Sequence, residues 1–272
     1  MPSPHEFLLQ YRALKVNTGV EVTATACRLT REQVQLKTYF MMDWDDGTEE
    51  RRDFNHVVAK MSRGSTADSK ANAKAQNEWR EQNAERIKTA AMGKGAPQDY
   101  ELALQWAVRS GRIPSPTAAA IQTYCDERLG IDCSGFVTNY LCAAGLRSYS
   151  AKLLRGTNAQ SYYSEAAAVN DASQIRQGDL LVWMTGARVK TGPGHIAIVQ
   201  SYIPACLPAG NMEVCEATGA GGATPKLLNS RYHVTKIIDK GDRSLKNRVM
   251  ILEVSRHGTT GSRVCVIRPQ AA

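Results

Sequence analysis

The sequence has no long apolar run, which limits the classes of protein it can belong to. No stretch approaches the roughly 18 consecutive apolar residues that a membrane-spanning helix needs. The first ten residues also lack a basic region followed by an apolar core. We therefore expect no membrane insertion and no Sec signal, in a protein made in the cytoplasm.

The chain also lacks a Cys-x-x-Cys pair among its seven cysteines. Structural zinc sites commonly take two ligands from such a pair, so we expect no metal site. Cys206 and Cys215 flank a short loop containing Pro208 and Gly210. Their spacing permits a disulfide in an oxidising compartment. Two buried thiols are the alternative, and the sequence leaves both open.

Lysine and arginine form no dense run with interleaved aromatic residues, so we expect no nucleic-acid partner. The net charge is nevertheless +8. A basic protein favours anionic partners, which include lipid headgroups and bacterial wall polymers. A basic surface that is merely solvated is the alternative explanation of this charge.

Composition divides the chain into residues 1–96 and 97–272. The first part predicts a small β-rich unit with a hairpin at Asp46 and Gly47, followed over residues 65–92 by a polar helical linker. The second part predicts two helices, a helix from Cys133, and a series of strands that ends in a hairpin over residues 257–261. We expect residues 97–272 to fold alone. The strand candidates are residues 179–184, 195–202, 212–217, 249–254 and 263–268.

Residues 131–145 carry the first chemical signal. Asp132 is a suitable N-cap and Gly145 a suitable C′ residue. Cys133 therefore falls in the first turn, where the helix dipole favours the reactive thiolate. The small neighbours Ser134 and Gly135 leave room for substrate. A buried inert thiol is the alternative for Cys133. The apolar residues at helical spacing are Phe136, Val137, Tyr140, Leu141 and Ala144.

Four motifs then follow in a fixed order. Residues 132–137 read Asp-Cys-Ser-Gly-Phe-Val, and residues 154–163, 175–183 and 194–199 follow, the last reading Gly-His-Ile-Ala-Ile-Val. Together they resemble the NlpC/P60 family of peptidoglycan peptidases over about residues 124–220. The resemblance implies an α+β fold with a papain-like core, in which the nucleophile helix packs on an antiparallel sheet.

The resemblance identifies Cys133 as the nucleophile and His195 as its base. The family's third residue lies on the next strand, and there Glu216 is in phase with the apolar Met212 and Val214. A buried carboxylate needs a partner, which the imidazole of His195 supplies. Glu216 is thus our candidate for orienting His195. Glu213 and Asn211 remain alternatives, as does a Glu216 that faces solvent.

The sequence departs from the family pattern before the nucleophile. Tyr124 precedes Cys133 by nine residues instead of about twelve, and no Gly-Gly pair lies between them. We expect Tyr124 to line the substrate pocket, together with Asp132, Ser134 and Gly135.

The implied activity is acyl transfer by cysteine and histidine, which requires no cofactor. The implied substrate is the stem peptide of peptidoglycan, cleaved after a D-isoglutamyl residue. We expect an antibacterial effector that a non-Sec secretion apparatus delivers to a target-cell periplasm, with a cognate immunity protein as a further partner. A deamidase, transglutaminase or acyltransferase toxin acting on a protein is the enzymatic alternative. A non-catalytic wall-binding module is a third possibility.

Overall fold

The computed structural model describes residues 1–22, 27–39, 67–192, 194–204, 210–220 and 225–270. The chain forms two compact units, one of Gln10–Ile131 and one of Met1–Leu9 with Asp132–Ala272. The expected hairpin at Asp46 and Gly47 lies outside the described residues. Cys206, one of the two cysteines whose spacing permits a disulfide, also lies outside them. None of the described helices is long and apolar enough to cross a membrane.

The chain starts with helix α1 (Pro4–Tyr11), and the described residues of the unit of Gln10–Ile131 contain a two-stranded antiparallel sheet and three further helices. Helix α3 (Pro97–Arg109) packs against α2 (Ala67–Ala91) and β1 (Leu14–Val22), and α4 (Ala118–Arg128) packs against β2 (Cys27–Val34). Tyr11 contacts Tyr100, and Trp79 stacks on Trp106, each pair with ring centroids 5.9 Å apart. The elements are α1 (Pro4–Tyr11), β1 (Leu14–Val22), β2 (Cys27–Val34), α2 (Ala67–Ala91), α3 (Pro97–Arg109) and α4 (Ala118–Arg128).

The boundary between the two compact units falls between Ile131 and Asp132. The boundary expected from composition, between residues 96 and 97, therefore lies inside the unit of Gln10–Ile131. Composition shows where the polar helix α2 ends, but it does not show which later helices pack against α2. Independent folding of residues 97–272 remains a prediction.

The second unit combines the helix that begins at Cys133 with a large antiparallel sheet. Strand β3 (Leu180–Thr185) pairs with β5 (Ile196–Pro204) and also with β9 (Thr259–Ile267), so the sheet closes on itself. A mixed α and β fold with an antiparallel sheet is thus confirmed, but its closure and the long strand β7 were not predicted. The elements are α5 (Cys133–Ala143), α6 (Ala151–Gly156), β3 (Leu180–Thr185), β4 (Arg188–Val189), β5 (Ile196–Pro204), β6 (Gly210–Ala217), β7 (Leu227–Ile238), β8 (Ile251–Arg256) and β9 (Thr259–Ile267).

Alternate residues of the six pairing strands form one buried hydrophobic cluster. Side chains in a strand alternate between its faces, so closure places this set inside the sheet. Helix α5 packs outside, against β5 and β6. This packing brings the start of α5 to the strands that carry His195 and Glu216. The inner residues include Leu181, Trp183, Ala197, Val199, Met212, Val214, Tyr232, Val234, Leu252, Val254, Val264 and Val266.

Candidate active site

Cys133 is the first residue of α5 and is 6% exposed. Asp132 caps the helix, because its Oδ1 accepts a hydrogen bond from the backbone N–H of Gly135 at 2.5 Å. At this position the thiol lies beside the free backbone N–H groups of the first turn and the positive end of the helix dipole. The local sequence thus sets the environment of Cys133.

The structure gives Asp132 and Ser134 contacts that shape the helix start. The Ser134 hydroxyl donates to the backbone carbonyl of Thr157 at 3.1 Å and lies 3.2 Å from Asp132 Oδ1. Ser134 and Gly135 are buried. These contacts stabilise the first turn, and contact of these three residues with substrate remains a prediction.

His195 directly precedes β5, and its backbone carbonyl accepts from Trp183 N–H at 3.1 Å. The imidazole is 8% exposed and lies against the edge of Trp183, with ring centroids 4.6 Å apart. A side chain on Gly194 would place its Cβ 3.0 Å from the Lys190 carbonyl oxygen. The approach to His195 therefore favours glycine at position 194.

The structure brings Cys133, His195 and Glu216 together. His195 Nε2 lies 2.8 Å from Glu216 Oε2, and a hydrogen bond joins the same imidazole to the side chain of Cys133. Burial would lower the pKa of His195, but the hydrogen bonds and charges of Cys133 and Glu216 outweigh it. They raise this pKa from 6.5 to about 9. This arrangement favours the protonated form of the imidazole.

Glu216 is fully buried and accepts from four side chains. Burial alone would raise its pKa, but hydrogen bonds from His195 and His257 and the charge of Arg256 hold the pKa well below its usual range. Tyr232 donates to the carboxylate at 2.8 Å. Burial and the adjacent Glu216 in turn raise the pKa of Tyr232 well above its usual value. Glu216 is therefore an ionised acceptor.

The alternatives to Glu216 have other partners. Glu213 Oε2 accepts from Ser201 Oγ at 3.5 Å on the exposed side of β6, and Asn211 Oδ1 lies 2.7 Å from His233 Nδ1. Neither pairs with His195 in the described contacts. The difference follows from strand phase, since residues 212, 214 and 216 are buried and residues 211 and 213 are exposed.

The sequence motifs did not indicate Tyr232, Arg256 or His257 as residues of the site. Tyr232 lies on β7, which no motif predicted, and Arg256 and His257 border a turn that predicted only a hairpin. The sequence did offer one signal, the expected burial of Glu216, because a buried carboxylate needs more than one hydrogen-bond donor. No spacing rule says which distant residues provide those donors.

The structure also gives contacts for two further residues that the sequence singled out, Tyr124 and Cys215. Tyr124 is on α4 in the unit of Gln10–Ile131, where Arg112 Nη1 donates to its hydroxyl at 3.4 Å. Its role toward substrate remains a prediction. The Cys215 thiol is buried, 3.7 Å from Asn229 Oδ1. Within the described ranges no group of three or more His, Cys, Asp or Glu residues is placed to hold a metal ion.

A thiol at a helix start, an imidazole bonded to it and a carboxylate behind the imidazole are the groups that cysteine hydrolases use for acyl transfer. Residues 115–240 match the model of the NlpC/P60 family, and this part of the chain belongs to that family. The family generally consists of cysteine peptidases and amidases that act on peptidoglycan. Cys133, His195 and Glu216 all lie within the match, whereas Arg256 and His257 lie beyond it. No curated protein and no solved structure gives a significant match to the chain.

Proposed function

We propose that this protein is a cysteine hydrolase that cleaves an amide bond in the stem peptide of peptidoglycan. The observation that carries the proposal is the contact of His195 with both Cys133 and Glu216, inside the segment that matches the family. The net charge of +8 suits an anionic wall polymer.

Acyl transfer begins with the thiolate of Cys133 and the imidazolium of His195. The sulfur attacks the amide carbonyl, and backbone N–H groups at the start of α5 stabilise the oxyanion. His195 gives its proton to the leaving amine as the C–N bond breaks. Water then attacks the thioester and loses a proton to His195, and the C–S bond breaks. This step releases the carboxylic acid and restores the thiolate of Cys133 and the imidazolium of His195.

Glu216 does not touch substrate in this mechanism. Because Nε2 of His195 bonds to the carboxylate, Nδ1 is the nitrogen left to exchange a proton with sulfur and amine. Glu216 thus fixes the orientation of the ring and favours its protonated form.

The scissile bond that we propose follows a D-isoglutamyl residue, as the resemblance of the four motifs implies. We further propose that the protein is an antibacterial toxin, delivered to a target-cell periplasm by a non-Sec secretion apparatus. A cell that makes such a toxin needs an immunity protein that blocks the site around Cys133.

Purified muropeptides test the activity. Incubation with the full chain should give cleaved stem peptides by mass spectrometry, and Cys133→Ala should give none. Unchanged muropeptides with a folded wild-type protein would overturn the proposed substrate. Modification of a protein substrate instead would identify a deamidase or acyltransferase.

The toxin role needs a separate experiment. Directed to the periplasm of a Gram-negative host by an added export signal, the wild-type chain should cause lysis, and Cys133→Ala should not. Equal growth of both strains, with both proteins present in the periplasm, would refute the toxin role.

A further inference from the structure

The corner between β8 and β9 contributes two side chains to the carboxylate that holds His195. Arg256 ends β8 and His257 follows it in the turn. Arg256 Nη1 donates to Glu216 Oε2 at 2.7 Å, and His257 Nε2 lies 2.9 Å from Glu216 Oε1. Both residues lie beyond the segment that matches the family.

The guanidinium of Arg256 is held on several sides. It lies 4.5 Å from the ring centre of Trp183 and 5.7 Å from that of Tyr232, distances typical of cation–π contacts. It also donates to the Tyr232 hydroxyl at 3.2 Å. Trp183 contacts His195 as well. Arg256 therefore packs on the same aromatic ring as the imidazole.

His257 adopts a backbone conformation that costs energy. Its φ angle is +47°, in the left-handed region that L residues rarely occupy. The side chain nevertheless reaches Glu216 and lies 3.3 Å from Ser230 Oγ. A non-glycine residue held in this region beside an active site is a reason to look for a functional role.

We propose that Arg256 and His257 are positioning residues of the active site, which set the geometry and charge of Glu216 and thereby the protonation of His195. The inference rests on the proposed cysteine-hydrolase function. Atoms Oε1 and Oε2 each receive a donor from the β8–β9 corner, so the carboxylate cannot rotate without breaking one of these bonds.

The effect of Arg256 on His195 has a definite sign. Oε2 of Glu216 accepts from His195, Tyr232 and Arg256 together. The positive charge of Arg256 offsets part of the negative charge of Glu216 and so weakens the attraction between the carboxylate and the His195 imidazolium. Losing that cation should strengthen the bond between Glu216 and the imidazolium and so raise the pKa of His195. Among the described residues, the titratable groups whose hydrogen bonds and charges raise the pKa of His195 are Cys133 and Glu216.

The test compares Arg256→Gln with Arg263→Gln in the full-length protein. Arg263 is a matched control, because it also pairs with a carboxylate, Glu253, at 3.0 Å in the same hairpin. NMR titration of the labelled histidines, with His195→Ala for assignment, measures the pKa of His195 without any substrate. Muropeptide hydrolysis gives kcat and KM.

For Arg256→Gln we expect the pKa of His195 to rise by about one unit. We also expect kcat to fall roughly 10-fold, the lower end for a lost hydrogen bond to a charged group, with KM almost unchanged. Arg263→Gln should change none of these. Arg256→Lys restores a cation but not both hydrogen bonds, and should return the pKa of His195 toward the wild-type value.

An unchanged or lowered pKa of His195 in Arg256→Gln would overturn the role of Arg256. If Arg256→Gln does not fold, Arg256→Lys decides through kcat. Lysine keeps the cation but not both hydrogen bonds, so kcat should still fall while the pH dependence stays close to that of the wild type, and a wild-type kcat would overturn the role of Arg256. His257→Asn keeps a residue that tolerates positive φ, and wild-type kcat there would remove His257 from the proposal. Absence of hydrolysis by the wild type refutes the proposed function but leaves the titration to judge this inference.

Discussion

Replacing Glu216 by Gln should lower both the stability of the protein and its rate of catalysis, and the two losses can be measured separately. Glu216 is fully buried and pairs with Arg256, whose side chain is 12% exposed. Removing one partner of a buried ion pair leaves the other charge uncompensated, which typically costs about 3–5 kcal/mol. Glu216→Gln should therefore lower the free energy of unfolding by about that amount.

The catalytic loss follows from His195. Its raised pKa of about 9, against 6.5 for an ordinary histidine, corresponds to about 3 kcal/mol in favour of the imidazolium. Loss of a hydrogen bond between charged groups accounts for about 1.5–3 kcal/mol. In Glu216→Gln the pKa of His195 should fall by about one to two units. The rate should fall roughly 10- to 100-fold.

The sign of the pH effect follows from the direction of this shift. His195 must keep its proton to protonate the leaving amine, so the pKa of the imidazolium sets the alkaline limb of the pH–rate profile. A lower pKa moves that limb to lower pH. Activity of Glu216→Gln should thus be lost at a lower pH than that of the wild type.

Chemical denaturation and muropeptide hydrolysis across pH measure the two effects. Glu213→Gln, on the exposed side of the same strand, is the matched control and should change neither. The double variant Glu216→Gln/Arg256→Met removes both buried charges and should regain much of the stability but not the activity. If Glu213→Gln slows hydrolysis and Glu216→Gln does not, the assignment of Glu216 is wrong.

Three further results are expected. Iodoacetamide at near-neutral pH should label Cys133 before Cys125 and Cys265, because burial raises the pKa of each of those two thiols to about 12. If peptide mapping finds Cys125 or Cys265 labelled first, Cys133 is not the most reactive of the three thiols. Asp132→Ala should lower the free energy of unfolding by about 1 kcal/mol through loss of the N-cap, and an unchanged denaturation midpoint would argue against the cap. A chain that starts at Pro97 loses Tyr11 and Trp79, the aromatic partners of α3, so its unfolding temperature should fall below that of the full chain. An equal unfolding temperature and full activity would instead support a domain boundary between residues 96 and 97.

Local features of the sequence account for much of the candidate site. The cap at Asp132 and the apolar spacing after it predict a helix that begins at Cys133, and α5 does so. The alternation along residues 212–216 predicts which glutamate shares a face with the core. Both inferences use neighbours within a few residues, where the backbone geometry of a helix or a strand fixes the relation between positions.

Pairing between strands that are distant in the sequence determined the rest of the candidate site. Arg256 bonds to a carboxylate 40 residues earlier in the chain, and this contact exists because β7 lies between β6 and β8 in the sheet. The second pairing of β3, with β9, closes that sheet and places Trp183 beside both His195 and Arg256. The sequence by itself singled out Cys133 and His195 as the candidate nucleophile and base, and it determined the phase of Glu216. Only the tertiary structure determined the donors around Glu216, because strand order and sheet closure depend on the packing of the whole core and leave no periodic signal in the local sequence.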